Sequence, residues 1–378
     1  MRYEGGYETM KSTARILHHG SKPCIYNHDI LSCTHDDVTG NHLYSGRALG
    51  LTKPEDIIQI NPFLKNLWND ITAHYSRVEL DHTQHVLWDI SLERMKLYPK
   101  MDDSFFFFGA RENNSRPARS WFKVVEHIND KNNFIALGSH LGLDTPKTLC
   151  FSRKRWLAGI ENFSFPCYVK PALSVAGKGI YRCRNVTEVI QALAYFAEDV
   201  PLQIQEEVHA ESFLNLQYEQ TVTELKRREV TEQILDRFTH VGNQYPSKYT
   251  PWESVDPMAD WLVKKGMRGI FAFDVAVIND KHGPRFIPIE CNPRFNGASY
   301  PSAIARKLGI DQWVSREMST RHRKLSEIDL SSIEYDPSRK TGVILVNWGT
   351  ILVGKISVLI AGPEYLRAQI GEKLAERL

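Results

Sequence analysis

Apolar positions along this chain follow two different periods. Ile57-Ile58-Gln59-Ile60 is a short apolar run, and after Asn61-Pro62 the residues Leu64, Leu67, Trp68, Ile71, Tyr75 and Val78 return every three or four positions. That pattern predicts a strand followed by an amphipathic helix. Val86-Leu87-Trp88 and Phe105-Phe106-Phe107-Phe108 predict two more strands, the second apolar on both faces as a covered parallel strand is. The first 120 or so residues therefore predict a small α/β domain. Residues 1–50 carry no clear period, and no element is assigned to them.

A second unit begins near Asn129, where Phe134, Ile135, Leu137 and Leu141 form a helical stripe ending at Gly142. Further on, Phe165-Pro166-Cys167-Tyr168-Val169-Lys170-Pro171 has strand character. It leads into Ser174-Val175-Ala176-Gly177-Lys178-Gly179 before Ile180-Tyr181-Arg182-Cys183 resumes a strand. Glycines let backbone N–H groups turn toward an anion, and Ser174 and Lys178 add a hydroxyl and a cation. The segment is a strand-loop-strand phosphate cradle or, more plainly, a glycine-rich hairpin turn. It is not a P-loop, because G-x-x-x-x-G-K-[ST] is absent. Asn185-Val186-Thr187-Glu188 has capping-box spacing and opens a helix with its stripe on Val189, Ile190 and Leu193. Leu202-Gln203-Ile204-Gln205-Glu206-Glu207-Val208 then reads as a strand ending in two acids, with Glu211 just beyond. Such a strand end can pair its backbone with an adenine edge while a carboxylate meets a ribose hydroxyl; exposed glutamates are the plainer reading.

The most informative stretch is 270–292. Residues 270–278 and 285–292 predict two strands of a hairpin joined by a polar loop, with Phe271, Phe273, Val275 and Val277 on one face and Asp274 on the other. If Ile278 pairs with Phe286, Asp274 falls opposite Glu290, with Asn292 on the same face as Glu290. Two carboxylates about 5 Å apart destabilise a sheet unless a cation lies between them. Carboxylate and amide oxygens are hard ligands that suit Mg²⁺ bound to nucleotide phosphates. The alternative is a solvated face with acids in accidental register. Arg294, in the turn Pro293-Arg294-Phe295-Asn296-Gly297, is placed either to stabilise developing negative charge or to form a structural salt bridge.

Charge and cysteine usage narrow the picture. With 47 basic against 45 acidic residues among 378, the net charge of +2 gives no field for sequence-independent nucleic-acid binding. The run Lys226-Arg227-Arg228 is read as a solvated face. Six cysteines without a C-x-x-C pair indicate neither a disulfide framework nor a zinc knuckle, and fit a reducing cytoplasm. Cys24, His28, Cys33 and His35 match no standard zinc spacing, and His82 with His85 lack a third ligand. No stretch has the length and apolarity of a signal peptide or membrane span.

The order of these signals resembles the ATP-grasp enzymes. It runs from Asp130-Lys131 through the 168–171 strand and its glycine-rich loop to the acidic hinge at 205–208, then to Asp274 and Glu290-Cys291-Asn292-Pro293-Arg294. The resemblance covers about residues 129–310. It implies an α/β (α+β) chain with a pre-ATP-grasp domain over 1–125, a small lobe over 126–208 and a large lobe over 209–378. It further implies that Lys131 and Lys170 reach the nucleotide phosphates and that Ser174, Gly177, Lys178 and Gly179 close over them. Glu206, Glu207 and Val208 would form the adenine hinge, and Glu211 or a neighbour would meet the ribose. Asp274, Glu290 and Asn292 would bind Mg²⁺, or Mn²⁺ in its place. Arg294 and Arg268 compete for the oxyanion, because some relatives carry an arginine two residues before the metal aspartate where this chain has Ala272. Asn296 joins them as a catalytic candidate.

The implied reaction activates a carboxylate with ATP as an acyl phosphate and joins it to an amine. Thr231-Glu232-Gln233-Ile234 and 242–246 resemble L-amino acid ligases and point to an amino acid or peptide substrate. A homodimer follows by analogy with relatives. A kinase phosphorylating a small molecule, or a non-catalytic ATP-binding protein, are the alternatives. The opening segment and the closing hairpin near 342–360 match no motif of the family, and substrate choice is assigned to them.

Overall fold

The computed structural model describes residues 22–378 apart from 32, 35–37, 155–158, 174–178 and 238. Four short strands, β1 (Cys24–Asn27), β2 (Ile57–Gln59), β3 (Val86–Leu87) and β4 (Asp102–Phe105), make a parallel sheet in the order β3-β2-β1-β4. The helix anticipated after Asn61-Pro62 forms as a 3₁₀ turn, Pro62–Leu67, and an α-helix, Trp68–Arg77. The Asn61 side chain accepts from the Phe63 amide and starts it.

The four phenylalanines behave differently from expectation. The strand paired with β1 occupies Asp102–Phe105, and only Phe105 belongs to it. The other three lie beyond the strand: the Phe106 amide still donates to Asn27 of β1, but its carbonyl accepts from the Phe295 amide, and Phe107 bridges to Arg294. An apolar run read as a strand covered on both faces is in part a strap between two units, and burial at either place accounts for its composition.

A second, antiparallel sheet runs β5-β8-β6-β7, from β5 (Thr148–Phe151), β6 (Cys167–Pro171), β7 (Tyr181–Cys183) and β8 (Leu202–Glu206). The helix Val186–Leu193 packs on it through Val189, Ala192 and Leu193. Its cap is built from Asn185, whose side chain accepts from the Glu188 amide, and Glu188, which reaches back to the Arg184 amide.

The third sheet has eight strands, and its order is β13-β12-β9-β10-β11-β14-β16-β15. Its members are β9 (Ser212–Gln220), β10 (Leu225–Asp236), β11 (Thr239–Tyr245), β12 (Gly269–Asp280), β13 (Gly283–Asn292), β14 (Trp313–Ser319), β15 (Gly342–Asn347) and β16 (Lys355–Ala361). Phe271, Phe273, Val275 and Val277 pack with Leu214, Leu216 and Tyr218 against Val124, Val125 and Ile128 of the helix Arg119–Asn129 and Phe134 and Leu137 of the helix Lys131–His140. A small lobe starting at 126 is therefore divided: its first helix buries its apolar face on the large sheet, and only the strands from Thr148 onward build the second sheet.

The closing hairpin also sits elsewhere than in the large lobe's own core. Val343, Ile344, Val346, Trp348, Ile356 and Val358 share one apolar cluster with Leu43, Leu49, Ile58, Leu64 and Ile71 of the first unit. No helix among the described residues is long and apolar enough to cross a membrane.

Candidate active site

A cavity of about 660 Å³ is lined from the second and third sheets, from the turn after β13 and from segments of the first unit outside its strands. Its floor is the polar face of the large sheet. Asp274 pairs across the ladder with Asn215 of β9 on one side and Glu290 of β13 on the other. The Asp274–Glu290 pairing arises by a route different from the expected one. Ile278 lies opposite Arg285 rather than Phe286, and a bulge then offsets the register so that Val275 meets Pro288 and Asp274 meets Glu290. The extra residue, Ile289, lines the cavity.

Three amides converge on Asp274: Asn215 and Gln233 each donate at 2.7 Å and Asn292 at 3.0 Å. Burial, and then the neighbouring Glu290 charge, push the Asp274 carboxyl up to about 7 despite these donors. Burial would raise Glu290 too, but Lys131 and Lys170 together hold it at about 2. Lys131, at the start of the helix Lys131–His140, brings its Nζ to 3.1 Å from Glu290. The Asp130 side chain caps that helix by accepting from the Asn132 amide, and the Lys131 amide donates to the Ala172 carbonyl at the end of β6. Lys170, on β6, is buried and donates to Gln205 of β8 at 2.8 Å, and burial lowers its ammonium to about 8.

The protein's charges are therefore arranged as two facing carboxylates with two lysines beside them. Facing carboxylates in a buried site disfavour the doubly ionised state unless a cation joins them. Asp274, Glu290 and the Asn292 amide suit a hard divalent ion completed by water and phosphate oxygens. Among the described residues no group of three His, Cys, Asp or Glu converges, so the protein alone does not supply a closed metal cage.

The hinge at the end of β8 differs from expectation in its side chains. Glu206 accepts from the Lys147 amide at 2.7 Å, and Glu207 accepts from Tyr168 at 2.5 Å and from Arg182 at 2.6 and 2.7 Å. Those carboxylates hold the small sheet together. Both residues, with Val208, His209 and Ala210, line the cavity, and among the described residues the Val208 amide donates to no protein group.

No protein-family model and no curated protein matches this sequence. Solved structures do match in shape. N5-carboxyaminoimidazole synthetase from Staphylococcus aureus, complexed with ADP, superposes with a TM-score of 0.58 at 9% identity, over 95% of this chain and 97% of that one. L-amino acid ligase from Bacillus licheniformis does so with 0.55 at 12% identity, over 94% and 98%. The biotin carboxylase domain of 2-oxoglutarate carboxylase from Hydrogenobacter thermophilus, with MgADP and bicarbonate, reaches 0.52 at 13% identity, over 90% and 86%. The chain has the ATP-grasp fold.

Within that ATP-grasp frame, the cavity brings together Lys131, Lys170, Glu206, Glu207, Val208, Asp274, Glu290, Asn292, Arg294 and Asn296. Arg294 donates to Asn129 at 3.3 Å, and Asn296 donates to Asn215 at 3.2 Å while its own oxygen accepts from Ala298 and Ser299. Three of the described residues assigned by resemblance, Arg268, Glu211 and Gly179, do not line the cavity. Arg268 is exposed ahead of β12, one half-strand from Asp274, which leaves Arg294 as the arginine beside the acids. Glu211 is exposed and binds Asn279, with Lys248 at 3.9 Å, so its carboxylate is engaged outside the cavity. Gly179 adopts a left-handed φ of 72° at the exit of the glycine-rich loop. Ser174, Gly177 and Lys178 lie outside the described residues, as does His35.

Sequence reasoning missed Asn215 and the role of Gln233. A signal was present: Asn215 and Gln217 alternate with Leu214, Leu216 and Tyr218, and both amides are buried. Buried polar residues at every second position of a strand imply a polar partner on that face.

Proposed function

We propose that this chain is an ATP-dependent ligase that activates a carboxylate as an acyl phosphate and joins it to an amine. The observation that carries the reading is the Asp274–Glu290 pair, placed opposite one another by the β13 bulge and flanked by Lys131 and Lys170 on one cavity. The proteins similar in shape support the same reading, since they are an N5-carboxyaminoimidazole synthetase with ADP, a biotin carboxylase domain with MgADP and an L-amino acid ligase.

In this reading the backbone at 206–208 receives the adenine edge, the free Val208 amide serving as donor. Lys131 and Lys170 lie against the phosphates, where their charge opposes that of the leaving ADP. Asp274, Glu290 and Asn292 would hold Mg²⁺, which when bound would supply charge neutralisation and polarisation at the phosphates. Asn215 and Gln233 fix the Asp274 carboxylate by both donating to its Oδ1, so that it is held at the cavity without searching rotamers. A carboxylate oxygen of the substrate attacks the γ-phosphorus as the bond to the β-phosphate oxygen breaks and ADP departs. The amine nitrogen then attacks the acyl carbon, loses a proton, and phosphate leaves. Arg294, adjacent to these residues, stabilises the oxyanion formed in that step. Protein side chains act by position and charge, and no covalent intermediate on the chain is required. An amino acid or peptide is the substrate class this reading favours.

Purified protein with ATP, Mg²⁺ and paired amino acids tests it through phosphate release and product mass. ADP and phosphate released together with a condensed product are expected only when acid and amine are both present. A phosphorylated small molecule with no free phosphate would make it a kinase instead.

A further inference from the structure

The cavity is also lined by the amino-terminal unit, through Cys33, Thr34, Arg47 and Phe106. Arg47 is only 8% exposed, and its guanidinium lies 4.4 Å from the Tyr300 ring centroid, 4.5 Å from Phe106 and 5.0 Å from Tyr44. Its Nε and Nη2 are buried and have no hydrogen-bond partner. No carboxylate pairs with it among the described residues. Two acids whose charge reaches the nearby Cys33 thiol are engaged elsewhere: Glu112 accepts from the Gly109 amide at 3.0 Å, and Asp29 accepts from Arg111 at 2.9 Å. His28 offers no compensation either. Burial, and then the Arg47 charge, hold its imidazole well below the ordinary range, and its ring nitrogens meet Tyr300 at 2.8 Å and Ser104 at 3.0 Å.

A buried guanidinium without an acid is unfavourable, and aromatic faces offset only part of that. Such a group on a cavity wall, its Nε and Nη2 unsatisfied behind that wall, is a receptor for an anion that arrives from solution. Its place in the cavity is set by the phenylalanine strap, since the residue whose ring supports Arg47 also accepts from the Phe295 amide, next to Arg294. Arg294 likewise pairs with no carboxylate among the described residues. One arginine thus stands beside the acid pair, and the other approaches the same space from the amino-terminal unit.

We propose that Arg47 receives an anionic group, carboxylate or phosphate, carried by one of the two substrates and distinct from the carboxylate being activated. The assignment to a substrate rests on the ligase reading. An amino acid acceptor, with its own carboxylate, meets this requirement, and so does a phosphorylated amine; a plain alkylamine does not. Arg47 is then a specificity residue, selecting a doubly functional substrate before the chemical step.

The whole protein, saturated with Mg²⁺ and adenylyl imidodiphosphate to fill the phosphate sites, is melted with added inorganic phosphate, with acetate, and with chloride at matched ionic strength. Phosphate or acetate is expected to raise the melting temperature where chloride does not, and the more effective of the two names the group. Arg47→Gln abolishes that rise while keeping the rise due to nucleotide. Arg47→Lys retains the charge without the fork and needs roughly tenfold more anion for the same shift. This second variant serves if Arg47→Gln does not fold. An anion response equal in wild type and both variants, or none in wild type, overturns the proposal. If nucleotide fails to stabilise even the wild type, the ligase reading falls. The anion response and its loss on substitution then still decide the Arg47 site.

Discussion

Asp274 and Glu290 show how a residue's chemistry is set by what lies across the ladder. An aspartate with three amide donors would ordinarily be held well ionised, yet burial and the facing glutamate push it up to about 7. Glu290→Gln removes the carboxylate that both lysines address, and we expect it to lower ATP-dependent turnover at least ~100-fold, as loss of a metal-bearing carboxylate does. Single-turnover assays with labelled ATP check this, and wild-type turnover in the variant would remove the site from consideration. Chelating Mg²⁺ should abolish turnover in the wild type, with restoration on adding Mg²⁺ back; activity that survives EDTA would dissociate the acid pair from metal binding. The residue types here were legible in the sequence. The register was legible only in outcome, because the inserted Ile289 offsets the error in the assumed Ile278–Phe286 pairing.

Among elements, the small sheet is clamped at the hinge by Glu207 with Tyr168 and Arg182. The Arg182 hydrogen bonds hold the Glu207 carboxyl at about 2, below the ordinary glutamate value. A carboxyl depressed on folding contributes stability that is complete above its unfolded pKa and is lost as pH falls toward the folded one. Arg182→Ala should therefore melt below wild type at pH 6, and the gap should close between about pH 4.5 and pH 2. Thermal melts across that range measure it; a gap unchanged down to pH 2 would mean that the pair is not coupled to folding. The helix capped by Asn185 and the stripe ending at Gly142 were readable because capping and periodicity are local rules. The hinge carboxylates were not, since the Glu206 partner lies 59 residues away in sequence and those of Glu207 lie 39 and 25 away.

Across the whole molecule, the last third of the chain returns to complete the first unit. Trp348 is fully buried against residues that follow no clear period in the sequence, and an added Cβ at Gly46 would stand 2.5 Å from its ring. Gly46→Ala is expected to lower stability by about 1–3 kcal/mol through overpacking, read by denaturant unfolding. A loss below about 0.5 kcal/mol would show that the ring has room to move. Glu334 extends the same closure: it binds His74 at 2.7 Å and Arg77 at 2.8 Å on the helix Trp68–Arg77. The sequence by itself determined the alternation of strands and helices, the acidic and lysine donor types, and the order of signals that marks the ATP-grasp fold, because these depend on side-chain chemistry and on spacing within a few residues. Tertiary structure alone decided that Arg268 and Glu211 stand outside the cavity, that Asn215 and Gln233 orient Asp274, that Arg47 joins the wall, and that the closing strands of the large sheet share their core with the opening unit. Those outcomes depend on contacts between segments up to about three hundred residues apart, where burial energy selects partners that no local pattern encodes.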